Sequence, residues 1–144
     1  MAPARRLSIV KQALGLRSVF PDTPKPAVGR DWLSWTGRLQ PCELSRVYTV
    51  QITYTLGRYP ITRILDPQLA ATETGFLPHT YDDRSLCLHD AGQWADHMLI
   101  VDTIVPWAAE WLLHYEMWLA TGEWLGDDNS DTPLPAHYDN LPEP

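Results

Sequence analysis

The chain has 144 residues, 44% of them hydrophobic and 20% charged, a composition that predicts one globular domain and excludes a disordered or two-domain protein. The net charge of −7 is unevenly distributed, because the first 40 residues carry seven Lys and Arg against two Asp, and the remainder is strongly acidic. A basic front on an acidic body argues against general nucleic-acid binding and fits docking of a protein partner through the N-terminal segment. The alternative is that these charges only solvate the surface.

Membrane, metal and cofactor sites have no support in the sequence. No apolar run approaches the roughly 18–20 residues of a membrane span, and no secretory signal is evident, so we expect a cytoplasmic protein. The two cysteines, Cys42 and Cys87, do not make a disulfide framework, and we expect both to be reduced. None of the five histidines shows the paired spacing of metal ligands, so we expect no metal and no cofactor.

The N-terminal segment, residues 4–20, has the apolar spacing of a short helix. Its predicted apolar stripe contains Leu7, Val10 and Leu14, with Ile9 as a further candidate, and its predicted end lies between Gly15 and Ser18. Residues 21–30 follow with three prolines and a glycine, which predicts a linker or an extended arm.

Three strand-like runs come next, at residues 31–40, 46–56 and 61–65, the last ending before Pro67. The middle run alternates most clearly, and its predicted apolar face consists of Tyr48, Val50, Ile52, Tyr54 and Leu56. Because the links between these runs are short, the sequence predicts an antiparallel meander.

A short polar segment, residues 79–85, leads directly into the apolar triplet Leu86-Cys87-Leu88. Its Asp-Asp-Arg-Ser stretch favours a turn, because Asp and Ser side chains hydrogen-bond to nearby backbone amides. A thiol at the end of such a loop lies near polar groups and is partly accessible, which is the setting of a nucleophilic cysteine. The alternative for a cysteine between two leucines is a buried structural residue. We expect Cys42 to be incidental.

The final third of the chain is predicted to be helical. A short helix is expected within Trp94–Ile104, and Pro106 suits the first turn of a longer helix that ends at Gly122. The longer helix carries an aromatic stripe that we expect to be core: Trp107, Trp111, Tyr115 and Trp118. The whole pattern predicts one α+β domain, with a core at about residues 30–126 and a partly flexible acidic tail at 127–144.

The region around Cys87 resembles the active-site region of ubiquitin-conjugating enzymes, the E2 family. The residues that carry this resemblance are Pro67, Leu77-Pro78-His79, Leu86-Cys87-Leu88 and Trp94. Other segments resemble the bacterial E2-like proteins that are encoded with cyclic-oligonucleotide synthases in anti-phage operons of the CBASS type. They are Trp35-Thr36-Gly37, Tyr48-Thr49-Val50, Val105-Pro106-Trp107, Glu110-Trp111-Leu112, Tyr115-Glu116 and Thr121-Gly122-Glu123-Trp124.

This resemblance implies an E2 (UBC-like) fold and a transferase that holds a partner's C-terminus as a thioester on Cys87. By family analogy the partner is the CD-NTase (cGAS-like) synthase. Any E1-like activating enzyme would be a separate chain, because no adenylation-domain sequence is present here. One alternative is a non-catalytic E2-fold scaffold that binds and regulates the synthase. Another is a Cys-His hydrolase using Cys87 and His79, which ranks last because no third, orienting group is evident.

The candidate catalytic residues are Cys87, His79, Tyr81 and Asp90. His79 is expected to hold the loop by hydrogen-bonding to backbone, with a general-base role as the alternative. Tyr81 stands where the family has asparagine, so its hydroxyl either donates to a developing oxyanion or packs the loop edge. Asp90 either orients an incoming lysine or remains a solvated carboxylate.

Overall fold

The structure, a computed structural model, describes residues 4–124, so the predicted acidic tail at 127–144 lies outside the described part of the chain. Its elements, in chain order, are helix α1 (Ile9–Val19), strands β1 (Ala27–Val28), β2 (Trp32–Leu39), β3 (Tyr48–Thr55) and β4 (Ile61–Asp66), a 3-10 turn (Ile100–Asp102) and helix α2 (Ile104–Thr121). The four strands form one antiparallel sheet in the order β1-β2-β3-β4. The predicted α+β class and meander are therefore confirmed.

Helix α1 begins where the Ser8 hydroxyl accepts a hydrogen bond from the Lys11 N–H at 3.1 Å, which satisfies one of the free amides of the first turn. The predicted helix is present, but its predicted stripe is buried only at Ile9 and, in part, at Leu7. Val10 and Leu14 are 63% and 62% exposed, whereas Gln12 and Leu16 are fully buried.

The buried side chain of Gln12 explains why the helix turns a different face to the core from the one that the apolar spacing predicts. Its amide NH₂ donates to the carbonyl of Met98 at 2.8 Å, and its amide oxygen accepts from the N–H of Ile100 at 2.8 Å. These two bonds join α1 to the 3-10 turn that precedes α2. A polar residue can occupy a core position when its hydrogen bonds are satisfied there, and apolar periodicity does not detect such a residue.

One face of the sheet is buried, as the alternation of β3 predicts. Tyr48, Val50, Ile52 and Tyr54 are all at most 1% exposed, and Leu56, beyond the end of the strand, is partly buried. Trp35 on β2 pairs with Ile52, and its indole occupies the space that a side chain at position 37 would need. The two-residue strand β1 lies in the segment predicted to be a linker or an extended arm, where it pairs with β2 at the edge opposite to β3.

Helix α2 supplies much of the remaining core. Pro106 lies in its first turn, and Gly122 ends it with φ at 80°, both as predicted. Trp111 and Tyr115 of the aromatic stripe are buried and stacked, with ring centroids 5.6 Å apart, while Trp107 is partly buried. The short helix predicted before α2 is only the 3-10 turn. Within residues 4–124, no helix has the length and apolar character that crossing a bilayer requires.

Candidate functional site

The segment that leads to Cys87 lies beside β4, the last strand of the sheet. The N–H of Leu86 donates to the carbonyl of Thr62 in β4 at 2.9 Å, and Thr80 and Leu86 form an antiparallel bridge with each other. Leu77, Thr80 and Leu86 are buried. The loop is therefore bonded to the sheet through Leu86, the residue immediately before the cysteine.

The predicted polar turn is present between Thr80 and Leu86. The N–H of Tyr81 donates to the Ser85 carbonyl at 2.9 Å, and the N–H of Arg84 donates to the Tyr81 carbonyl at 3.0 Å. One oxygen of Asp83 accepts from both the N–H and the hydroxyl of Ser85, at 2.9 and 2.6 Å. Side chain–backbone bonds of this kind are what makes Asp and Ser favour turns.

Cys87 itself is partly exposed, and its thiol is not part of a disulfide. Its N–H donates to the carbonyl of His79 at 2.9 Å, which closes the loop that the turn forms. Its Sγ lies 3.9 Å from the carbonyl oxygen of His89, to which the thiol donates. The sulfur is thus held at the end of a fixed loop without being enclosed in the core.

His79 adopts a left-handed backbone conformation, with φ at 51°, which few residues other than glycine adopt. The contact that joins it to Cys87 runs through its carbonyl, and the same carbonyl accepts the indole N–H of Trp111 at 2.9 Å. Its ring stacks on Trp124, with centroids 4.8 Å apart and planes at 25°. Its predicted catalytic role stays a prediction.

The two remaining candidates lie on either side of the cysteine. Tyr81 is partly buried at the start of the turn. Asp90 is exposed, and its N–H donates to the side-chain oxygen of Gln93 at 2.6 Å. The structure brings the backbones of His79 and Cys87 into direct contact, and the roles of Tyr81 and Asp90 remain predictions.

His89 is a residue of this loop that the sequence analysis did not single out. Its ring lies between Tyr59 and Trp107, with centroids 5.1 and 5.7 Å away. Its Nδ1 lies 2.9 Å from the carbonyl oxygen of Asp90 and must donate, because a carbonyl only accepts, so Nε2 carries the lone pair in the neutral ring. Burial lowers the pKa of His89. The only sequence signal was its position two residues after Cys87.

Acid should therefore destabilise the protein through His89. A histidine whose pKa is lowered by folding stabilises the folded state above its unfolded value of 6.5, and this contribution is lost as the pH falls through the lowered pKa. We expect the urea concentration at the unfolding midpoint to decrease as the pH drops below 6.5, and to decrease less in His89→Gln. The exposed His97 provides the matched control, and the difference between His89→Gln and His97→Gln measures the part of the pH profile that belongs to His89. Equal profiles for both variants would contradict the assignment to His89.

Comparison with known proteins places these residues in one family. The family model described as E2-CBASS, type II CBASS E2 protein, matches residues 12–131, a range that includes all four candidates around Cys87. No curated protein matches the chain.

Proposed function

Because the chain belongs to the type II CBASS E2 family, we propose that it is an E2-like conjugating protein of anti-phage defence that carries a partner's C-terminus as a thioester on Cys87. The proposed partner is the CD-NTase (cGAS-like) cyclic-oligonucleotide synthase of the same system, in the cytoplasm. A separate E1-like enzyme, where present, would activate the partner's carboxylate. In this proposal the domain has the E2 (UBC-like) fold, with its core at residues 30–126 and its tail at 127–144.

The observation that carries the proposal is the placement of the Cys87 thiol within the family match. The residue is partly exposed at the end of a loop that backbone hydrogen bonds attach to both β4 and His79. A sulfur in this setting is reachable by an extended polypeptide end, and thiolates exchange acyl groups readily because sulfur is both a good nucleophile and a good leaving group.

The proposed step is a transfer of an activated acyl group. Cys87 loses its proton, Sγ forms a bond to the acyl carbon, and the bond from that carbon to the activating group breaks, so the leaving group departs with its electron pair. The N–H of Cys87 is occupied by the His79 carbonyl, so it is not free to stabilise the oxyanion. The Tyr81 hydroxyl is the proposed donor, with His79 and Asp90 assisting proton transfer and lysine entry.

Co-expression with the synthase encoded in the same operon, followed by a non-reducing gel, tests this proposal. We expect a covalent adduct with the summed mass of the two chains that disappears on treatment with mercaptoethanol. Cys87→Ala should abolish it, whereas Cys42→Ala, which removes the exposed second thiol, should leave it unchanged. An adduct that survives in Cys87→Ala, or no adduct in the wild-type protein, would contradict the proposal.

A second candidate function is a non-catalytic scaffold that binds the synthase. The observation that favours it is Tyr81, which stands where ubiquitin-conjugating enzymes have the asparagine that assists acyl transfer, so the loop lacks that group. If Cys87→Ala binds the synthase and protects cells from phage as well as the wild type does, the scaffold function is correct and thioester chemistry is not required.

A further inference from the structure

We propose that Trp111 is a positioning residue for Cys87, acting from helix α2 through the carbonyl oxygen of His79. This inference rests on the proposed thioester function, which gives the position of Cys87 its chemical meaning. The aromatic spacing along α2 predicts only a core position for Trp111. Trp111 is also far from Cys87 along the chain, so the sequence gives no indication of a link between them.

The carbonyl of His79 is shared by two donors. The N–H of Cys87 and the indole N–H of Trp111 each lie 2.9 Å from this oxygen. A carbonyl oxygen has two lone pairs and can accept both bonds in full. The path from the helix to the cysteine is therefore two hydrogen bonds long, with one atom in common.

The backbone conformation of His79 makes the indole bond important. A residue with a side chain and a φ of 51° adopts a conformation that costs free energy and persists where the surroundings fix it. The indole N–H holds the carbonyl from the helix side, while the stacking of the His79 ring on Trp124 holds the side chain. Without the indole bond, the His79 carbonyl loses one of the two donors that hold it, and its bond to the amide of Cys87 should open more often.

Trp111 is itself rigidly held. It is 4% exposed, stacks on Tyr115 and contacts Trp124, with ring centroids 5.6 and 5.2 Å apart. The hydroxyl of Tyr115 in turn accepts the N–H of Ala70 at 2.7 Å. A donor placed on a packed helix positions a loop more accurately than one on another loop.

The chemical consequence is a difference between two reactions of the same sulfur. Acyl transfer requires Sγ to approach a carbonyl carbon along a defined direction, so it depends on where the Cys87 backbone is held. Alkylation by iodoacetamide requires only an accessible thiolate. Loss of the indole bond should slow the first reaction and leave the second almost unchanged.

The test uses the full-length protein carrying Cys42→Ala, so that Cys87 is the only thiol. Trp111→Phe removes the N–H and keeps an aromatic ring, and 3-benzothienylalanine at position 111 keeps the bicyclic shape and replaces the N–H by sulfur. Trp118→Phe on the same helix is the control, because within residues 4–124 its indole N–H makes no hydrogen bond. The acyl donor is a synthetic peptide with a mercaptoethanesulfonate thioester, whose thiolate leaves as the bond to Cys87 forms.

We expect both changes at Trp111 to raise the hydrogen-exchange rate of the Cys87 amide about fivefold, the worth of one net hydrogen bond. Transfer at saturating donor should slow by up to about the same factor, because its transition state requires the position of Cys87 that this bond stabilises. The half-saturating donor concentration and the pH profile of alkylation should remain unchanged. Trp118→Phe should alter none of these quantities.

Unchanged amide exchange and transfer in the Trp111 variants would overturn the inference. So would a parallel change in exchange, transfer, alkylation and melting temperature that Trp118→Phe shares, because that pattern indicates general packing. A wild-type protein that takes no acyl group overturns the proposed function instead, and the exchange measurement still decides whether Trp111 holds the loop.

Discussion

Replacing Cys87 with serine should convert a thiol-labile adduct into one that survives mercaptoethanol. A thioester is cleaved by added thiol because the departing thiolate is a good leaving group, whereas the alkoxide of a serine ester is a poor one. The serine hydroxyl is also a weaker nucleophile, so the ester should form more slowly. The measurement is a gel of the co-expressed proteins with and without mercaptoethanol, with mass spectrometry to locate the linkage and hydroxide to cleave it.

Two matched variants make this result specific. Cys87→Ala should give no adduct under either condition, which excludes reaction at another side chain. Cys42→Ser changes the other thiol, exposed in the turn between β2 and β3, and should keep the labile adduct in full. A thiol-labile adduct in Cys87→Ser would show that a different sulfur carries the partner.

Gln12→Ala should lower the free energy of unfolding by about 3 kcal/mol. The change removes two hydrogen bonds and leaves the buried N–H of Ile100 and the partly buried carbonyl of Met98 without their partner. A buried polar group left unsatisfied costs about 1–3 kcal/mol, and two such groups are created here. Urea unfolding followed by tryptophan fluorescence measures the difference.

Gln40→Ala is the matched control for this prediction. The Gln40 side chain also donates to two backbone carbonyls, those of Glu43 and Ser45, but it is exposed, so water replaces the lost bonds. We expect a loss below about 1 kcal/mol for this variant. Equal losses at positions 12 and 40 would mean that the bonds of Gln12 contribute no more than solvated ones.

The sheet and the turn could be predicted because their signals are local. Alternation along β3 identifies its buried face, and the Asp-Asp-Arg-Ser stretch forms the turn by bonds between neighbours. The buried face of α1 could not be predicted, because Gln12 is polar and its partners lie more than 80 residues away. The strand β1 was missed because two residues give no periodic pattern.

In the candidate site, too, the local features could be predicted and the contacts between distant residues could not. The polar turn and the partly exposed Cys87 follow from the residues next to them in sequence. The contacts of His89 with Tyr59 and Trp107, and the bond from Trp111 to His79, join residues that are distant in the chain. Such pairs depend on how distant segments pack against the loop. The spacing of residues along the sequence does not show that packing.

The His79 carbonyl, which accepts two hydrogen bonds, affects how mutagenesis of this loop can be interpreted. Alanine scanning removes side chains and leaves every peptide group in place, so His79→Ala removes the imidazole and its stacking on Trp124 but not the carbonyl. The carbonyl that receives both Cys87 and Trp111 would persist in such a variant. A His79→Ala protein that behaves like the wild type would therefore say nothing about these two hydrogen bonds, of which a side-chain substitution can remove only the one from Trp111.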